Sequence, residues 1–172
     1  MTKIMTDNFT KTFEKLKRQS SGMIISKIWN QIKEGNYAEL NQDEQKLAMI
    51  IMDHQEFQEY FENEDLVSGR GYKEAEGFDP FLHISLHQMA EDQLASETPV
   101  EAALLCESIE RMGYSRHEGI HVIIMILIHL IHDSYKNDKP FSEQRYKRLL
   151  IKCGKVKPSE MQDVVEREFT SN

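Results

Sequence analysis

Cysteine is scarce in this chain of 172 residues: Cys106 and Cys153 are the only two, and they form no C-x-x-C motif. Neither a disulfide framework nor a thiolate zinc site is therefore indicated, and a reducing cytoplasm is the compartment that we expect. Glycine and proline, at eight and four residues, are too sparse for a disordered chain. The sequence should fold.

Positive charge is in deficit, because 21 basic residues stand against 29 acidic ones and the net charge is −8. This balance works against a polyanionic partner such as DNA or RNA. Residues 1–11 are polar and lack the apolar run of a secretory signal. The longest apolar run, residues 122–128, falls far short of the ~20 residues that span a bilayer, so it predicts a helix enclosed by others and no membrane partner.

Apolar residues recur at helical spacing, and we find no stretch with the period of two that marks a strand. We predict an all-α, single-domain bundle of about six to seven helices. Its core helices are expected at residues 42–61, 80–96, 99–112, 116–136 and 141–153. Residues 1–40 would add N-terminal helices that pack on the bundle, and residues 41–154 would form the histidine-bearing core domain. Residues 155–172 would be a polar C-terminal tail with a marginal helix near Met161 to Phe169.

Helix-capping residues fix where several of these helices begin. Asp79 followed by Pro80 is a strong helix start, and Ser115 with Glu118 three residues later has capping-box spacing. The helices at 80–96, 99–112 and 116–136 are joined by very short turns, so the first and third should run parallel. Their N-termini then lie at the same end of the bundle.

All seven histidines fall between positions 54 and 132, and four of them form two pairs with H-x-x-x-H spacing: His83 with His87, and His117 with His121. Side chains four residues apart share one face of a helix, which is the spacing at which two imidazoles chelate one metal ion. Because the two helices begin level, the pairs differ in height by only about 3 Å at ~1.5 Å per residue. The four rings are therefore predicted to converge.

Four imidazoles suit a transition metal, with zinc favoured and iron also compatible. His54 and Glu91 are further candidate ligands, or groups that orient a ligand ring. Two readings of the coordination stay open, a closed four-histidine site and a three-histidine site with an open position. The alternative without a metal is a set of hydrogen-bonded structural histidines.

His117, Glu118 and His121 also match the H-E-x-x-H motif of zinc hydrolases, in which the glutamate is the general base. The motif is short and the capping box already explains Glu118, so a metal-dependent hydrolase or peptidase is an alternative, with Glu143 as a third ligand. A third class is an interaction module in which residues 121–131 form a homodimer interface. His129 and His132 lie too far along the helix for the same site and are expected at a surface or interface.

The same residues resemble a bacterial family, the domain of unknown function numbered 1841. The resemblance rests on three segments, F-D-P-F-L-H-I-S-L-H at 78–87, G-Y-S-R-H-E-G-I-H at 113–121 and K-P-F at 139–141, with D-H-Q-E-F at 53–57 in support. It spans about residues 40–152, with Gln55 and Asp79 departing from the family's usual proline and asparagine. The resemblance implies a shared architecture and a shared site, and it supplies no substrate.

Overall fold

The structure is a computed structural model that describes residues 22–63 and 79–170. Within those residues it contains eight α-helices and no strand. The helices are α1 Gly22–Lys33, α2 Gln42–Met52, α3 Gln58–Glu62, α4 Pro80–Ser96, α5 Val100–Arg111, α6 Arg116–Lys136, α7 Glu143–Cys153 and α8 Pro158–Thr170. The all-α class is confirmed, and the helix number exceeds the predicted six to seven. The start of the predicted N-terminal helices, residues 1–21, lies outside the described residues.

The predicted capping residues act as expected. Asp79 Oδ1 accepts from the backbone N–H groups of Phe81 and Leu82 at 2.9 and 3.2 Å, so α4 begins directly after it. Ser115 and Glu118 form a complete capping box at the start of α6. Because these bonds satisfy N–H groups that have no partner inside the helix, both helices begin where the sequence predicted.

The predicted helix at residues 42–61 is wrong in its continuity. It divides into α2, a 3-10 turn at Gln55–Phe57, and α3. The chain leaves the helix at His54, whose φ of −122° and ψ of 51° are not helical. The ring of His54 then bonds to the Ile50 carbonyl at 2.7 Å. No proline or glycine marks this break, because packing of the surrounding residues overrides a helix propensity that continues through it.

The chain divides into two compact units, of which the first comprises residues 7–88. Its buried core includes Ile28 of α1, Ile51 of α2 and Phe61 of α3. Trp29 Nε1 donates to Glu62 Oε1 at 3.0 Å, and Lys33 Nζ donates to the same oxygen at 2.9 Å. These bonds lower the pKa of Glu62, Trp29 contributing most, and they attach α3 to α1.

Of the described residues, the second unit comprises 89–170. Helices α5 and α6 approach closely at Gly119, where an added Cβ would lie 2.8 Å from Cys106 Sγ. Helix α8 forms within the segment predicted as a polar tail, and it buries Met161 and Val165. Glu168 of α8 accepts from Lys152 of α7 at 2.8 Å, so the last helix is attached to the unit by both apolar and ionic contacts.

Helix α6 is, within the described ranges, the one helix that is long and apolar enough to cross a membrane by length and composition. The core helix of a soluble protein passes the same test, so this finding is weak. In the apolar window of α6, 39% is buried. The helix therefore has one buried face. The apolar pattern had predicted a helix enclosed on most of its circumference, so that prediction is wrong. The cytoplasmic location stays a prediction.

Candidate metal centre

Three histidine rings meet in the first unit, each with its Nε2 atom directed toward the same point. The Nε2 atoms of His54 and His87 are 3.1 Å apart, those of His54 and His83 3.2 Å, and those of His83 and His87 3.0 Å. The three nitrogens therefore form a nearly equilateral triangle. We call these three residues the histidine triangle.

Two elements supply the triangle. His83 and His87 lie four residues apart on α4, and their ring centroids are 4.6 Å apart, as expected for neighbours on one helical face. His54 comes from the break that follows α2. His54 and His87 are 1% and 2% exposed, and His83 is half-buried. Histidines this deeply buried need polar partners. The groups around the three rings therefore determine whether hydrogen bonds or a metal ion fit the triangle better.

The tautomer of His54 follows from its contact with the backbone. A carbonyl oxygen only accepts hydrogen bonds, so at 2.7 Å from Ile50 O the Nδ1 atom of His54 must carry the hydrogen. A neutral imidazole has one N–H, which this bond uses. Nε2 therefore presents a lone pair to the triangle. This arrangement, with Nδ1–H on a backbone carbonyl, is the one that orients histidines for metal binding.

Ordinary two-centre hydrogen bonds cannot form along all three sides of the triangle. Each Nε2 carries either a hydrogen or a lone pair in the ring plane, never both. A triangle of three such atoms therefore places at least two like groups against each other, whichever tautomers are chosen. A cation that accepts all three lone pairs removes this conflict. The spacing thus favours a metal site over a set of structural histidines.

The spacing also fits known coordination distances. Metal–nitrogen bonds of ~2.0–2.1 Å place tetrahedral ligands about 3.3 Å apart and octahedral neighbours about 2.9 Å apart. The observed separations of 3.0 to 3.2 Å lie between these values. Nitrogen donors suit zinc, iron, copper or nickel, whereas magnesium and calcium require oxygen ligands. The triangle defines a class of metal and does not name one.

Aromatic side chains flank the triangle. The ring of Phe57 lies nearly parallel to that of His54, at 14° with centroids 5.8 Å apart, and its edge faces His83 at 5.5 Å. Phe57 occupies this position because the 3-10 turn follows the break at His54. An apolar shell of this kind limits the access of water and fixes the orientation of ligand rings.

The second histidine pair lies at the start of α6, in the other unit. The ring centroids of His117 and His121 are 4.4 Å apart, so the pair has the same internal geometry as His83 and His87. His121 is exposed and His117 is half-buried. Convergence of this pair with the first pair on one ion stays a prediction.

Glu118 is engaged by the cap of α6. Its Oε2 accepts from the backbone N–H of Ser115 at 2.7 Å and from the Ser115 hydroxyl at 2.9 Å. These bonds lower the pKa of Glu118. A general base is most effective when its pKa lies near the working pH, so the shift has the wrong direction for that role.

The other candidate carboxylates also have basic partners. Glu91 forms an ion pair with Arg116, and Glu143 pairs with Lys147 at 2.7 Å. Both acids therefore have a structural role that explains them without a metal. His129 and His132 lie further along α6 and border a separate cavity.

A family model matches residues 17–152, which is most of the sequence. The chain belongs to the family described as domain of unknown function DUF1841. The match begins earlier than the resemblance to that family seen from residue 40, so it includes all of α1. No curated protein matches the chain, and no solved structure does. The DUF1841 segment D-H-Q-E-F at 53–57 contains His54, so the resemblance adds to the histidine clustering that already made His54 a candidate ligand.

Proposed function

We propose that this protein is a transition-metal-binding protein, with His54, His83 and His87 as ligands and with His121, from the second H-x-x-x-H pair of the sequence, as the fourth candidate ligand. Zinc is the proposed metal, because neutral imidazoles in a buried site are its usual ligands. The observation that carries the proposal is the triangle of Nε2 atoms, whose separations of 3.0 to 3.2 Å match those of nitrogen ligands on one metal ion.

Support for His121 comes from the sequence and from contacts inside the second unit. Arg116, five residues before His121, pairs with Glu91, which follows His87 by one turn of the continuous helix α4. Within the second unit, this pairing attaches the first turn of α6 to the C-terminal half of α4. A fourth imidazole would give a closed tetrahedral site, whereas three leave an open position for water or a substrate.

Metal analysis of protein purified without a histidine tag tests the proposal. After chelation and dialysis, zinc titration should show one ion per chain, and the bound ion should raise thermal stability because it binds the folded state alone. The double variant His83→Ala/His87→Ala should lose this binding. Equal zinc binding by wild type and variant, or none by either, overturns the proposal.

The matched control is His129→Ala/His132→Ala, which also removes two histidines but lies outside the triangle. It should bind zinc as the wild type does. His121→Ala separates the two coordination models: a loss of affinity together with a changed cobalt spectrum indicates four ligands. Unchanged affinity and an unchanged spectrum indicate the open, three-histidine site.

A further inference from the structure

The second unit contains a cavity of about 540 Å³ where α6 ends, α7 begins and the last turn of α8 closes one side. Its lining combines basic, aromatic and hydroxyl groups. Its volume lies within the range of about 300–1,000 Å³ that is typical of small-molecule sites. We call it the α6–α8 cavity.

The lining carries more positive than negative charge. Lys136, Lys139 and Arg145 line the cavity, and Asp133 is the one acidic residue among the lining residues. The surplus is notable because the whole chain has a net charge of −8. A basic cavity in an acidic protein attracts small anions while the outer surface repels polyanions.

The acidic groups near the cavity are already neutralised. Asp133 accepts from Arg145 Nη1 at 2.7 Å and from Asn137 Nδ2 at 2.8 Å. Glu168 accepts from Arg148 at 3.2 Å and from Lys152 at 2.8 Å. The charges of Lys136 and Lys139 are therefore not offset by these carboxylates, and within the described residues neither lysine forms a salt bridge.

The guanidinium of Arg145 lines the cavity and is held in one orientation. Besides its bond to Asp133, Nη2 donates to the Glu168 carbonyl at 2.7 Å, and the guanidinium lies 4.1 Å above the Phe169 ring. Two of its five N–H donors are used in these bonds. A planar donor held in one orientation recognises an oxyanion better than a mobile lysine does, since less conformational entropy is lost on binding.

The ends of two helices also face this cavity, with opposite effects. Ser142 caps the N-terminus of α7, which carries a partial positive charge, and the C-terminus of α6 at Lys136 carries a partial negative one. These partial charges are about half an elementary charge each and roughly cancel. The full positive charges of Lys136 and Lys139 therefore make the electrostatic potential of the cavity positive.

Aromatic rings provide an apolar part of the wall. His129 and Phe169 have centroids 5.5 Å apart. His129 Nδ1 lies 2.8 Å from the Met125 carbonyl oxygen and must donate to it, since a carbonyl oxygen only accepts. In the neutral ring, Nε2 is then the hydrogen-bond acceptor. The cavity is far larger than a bare phosphate ion needs. A ligand with an organic part beside its anionic group would fill it.

We propose that the α6–α8 cavity binds a small organic phosphate, with Lys136 and Lys139 as the charges that attract the phosphate and Arg145 as a fixed N–H donor. This site is separate from the histidine triangle, and its ligand does not depend on a bound metal.

Isothermal titration of the full-length, chelator-treated protein with AMP, adenosine and inorganic phosphate tests the proposal. AMP supplies a phosphate and a planar ring, whereas adenosine lacks the charge. AMP should bind at least about tenfold more tightly than adenosine, and raised salt should weaken the binding. Inorganic phosphate should compete with AMP.

The double variant Lys136→Gln/Lys139→Gln should bind AMP at least about tenfold more weakly. Both lysines are exposed, so circular dichroism should show an unchanged fold. The matched control Lys155→Gln/Lys157→Gln removes two lysines outside the cavity and should leave binding unchanged. The proposal is overturned if AMP and phosphate both fail to bind, or if the two double variants bind AMP equally.

Discussion

The two H-x-x-x-H pairs have the same spacing and nearly the same ring separation, 4.6 Å for His83 with His87 and 4.4 Å for His117 with His121. Their surroundings differ. The first pair is joined by His54 and lies against Phe57, whereas His121 is exposed and the residue after His117 is committed to a helix cap. Helical spacing therefore makes each pair geometrically able to chelate, and burial together with a third ring distinguishes the first pair as the candidate metal centre.

This comparison also separates two uses of helix N-termini. In α4 the cap residue, Asp79, precedes the histidine pair and leaves it untouched. In α6 the capping box includes Glu118, which lies inside the pair. The H-E-x-x-H pattern at residues 117–121 thus has three separate causes. Capping explains Glu118, helix packing explains Gly119, and helical spacing brings His117 and His121 together.

The largest contrast should appear in metal affinity. His87→Ala should weaken zinc binding by at least about 100-fold, since the loss of a ligand outweighs the loss of an outer partner. His117→Ala should change it by less than about threefold, because His117 is not among the proposed ligands. Competition with a chromophoric chelator measures both. Similar losses in the two variants would contradict the distinction between the pairs.

The middle residue of each pair offers a second contrast. Gly119→Ala should destabilise the protein by about 1 kcal/mol, because overpacking costs about 1–3 kcal/mol and the helix propensity of alanine returns up to about 1 kcal/mol of that cost. The clash is with Cys106 Sγ at 2.8 Å. Urea unfolding measures the cost.

The control is a double-mutant cycle with Cys106→Ala, which removes the clashing atom and should recover most of the loss. Ser85→Ala, at the matching position of the first pair, removes a bond from the Ser85 hydroxyl to the Phe81 carbonyl. It should cost less than about 1 kcal/mol. Additive effects in the cycle would show that Gly119 is not needed for the close approach of α5 and α6.

A smaller effect is expected from the caps. Asp79→Ala should cost about 1 kcal/mol of stability, because two backbone N–H groups lose their acceptor. It should also weaken zinc binding severalfold, since His83 is in the first turn of α4. Ser115→Ala tests the other helix and should lower thermal stability with a smaller change in zinc affinity. The reverse order would assign the metal centre to α6.

The smallest effect concerns pH. Bonds from the Ser115 backbone and then its hydroxyl lower the pKa of Glu118 in the folded state. The unfolded chain therefore binds the proton more tightly, and the stabilisation, present above the unfolded pKa of about 4.3, is lost as the pH falls through the folded pKa. Unfolding between neutral and acidic pH should show a weaker acid dependence in Glu118→Gln than in wild type. An identical dependence would exclude the cap as its source.

Several features could be predicted from the sequence because their causes are local. Asp79, Ser115 and Glu118 determine helix starts through bonds that span three residues, and helical spacing alone places His83 beside His87. The bounds of α4 and α6 therefore agree with the prediction. Family membership follows from the same local segments.

The tertiary structure decided what depends on residues distant in sequence. His54 is 29 residues from His83, and its place in the triangle requires a helix break that no local residue signals. The role of Gly119 depends on Cys106 in a different helix. Helix α8 is stabilised because its Met161 and Val165 side chains are buried in the second unit. Spacing sets which side chains share a helical face, but packing of separate elements determines which faces meet. The sequence thus determined the chelating pairs, and the fold supplied the third ring that makes one of them a candidate metal centre.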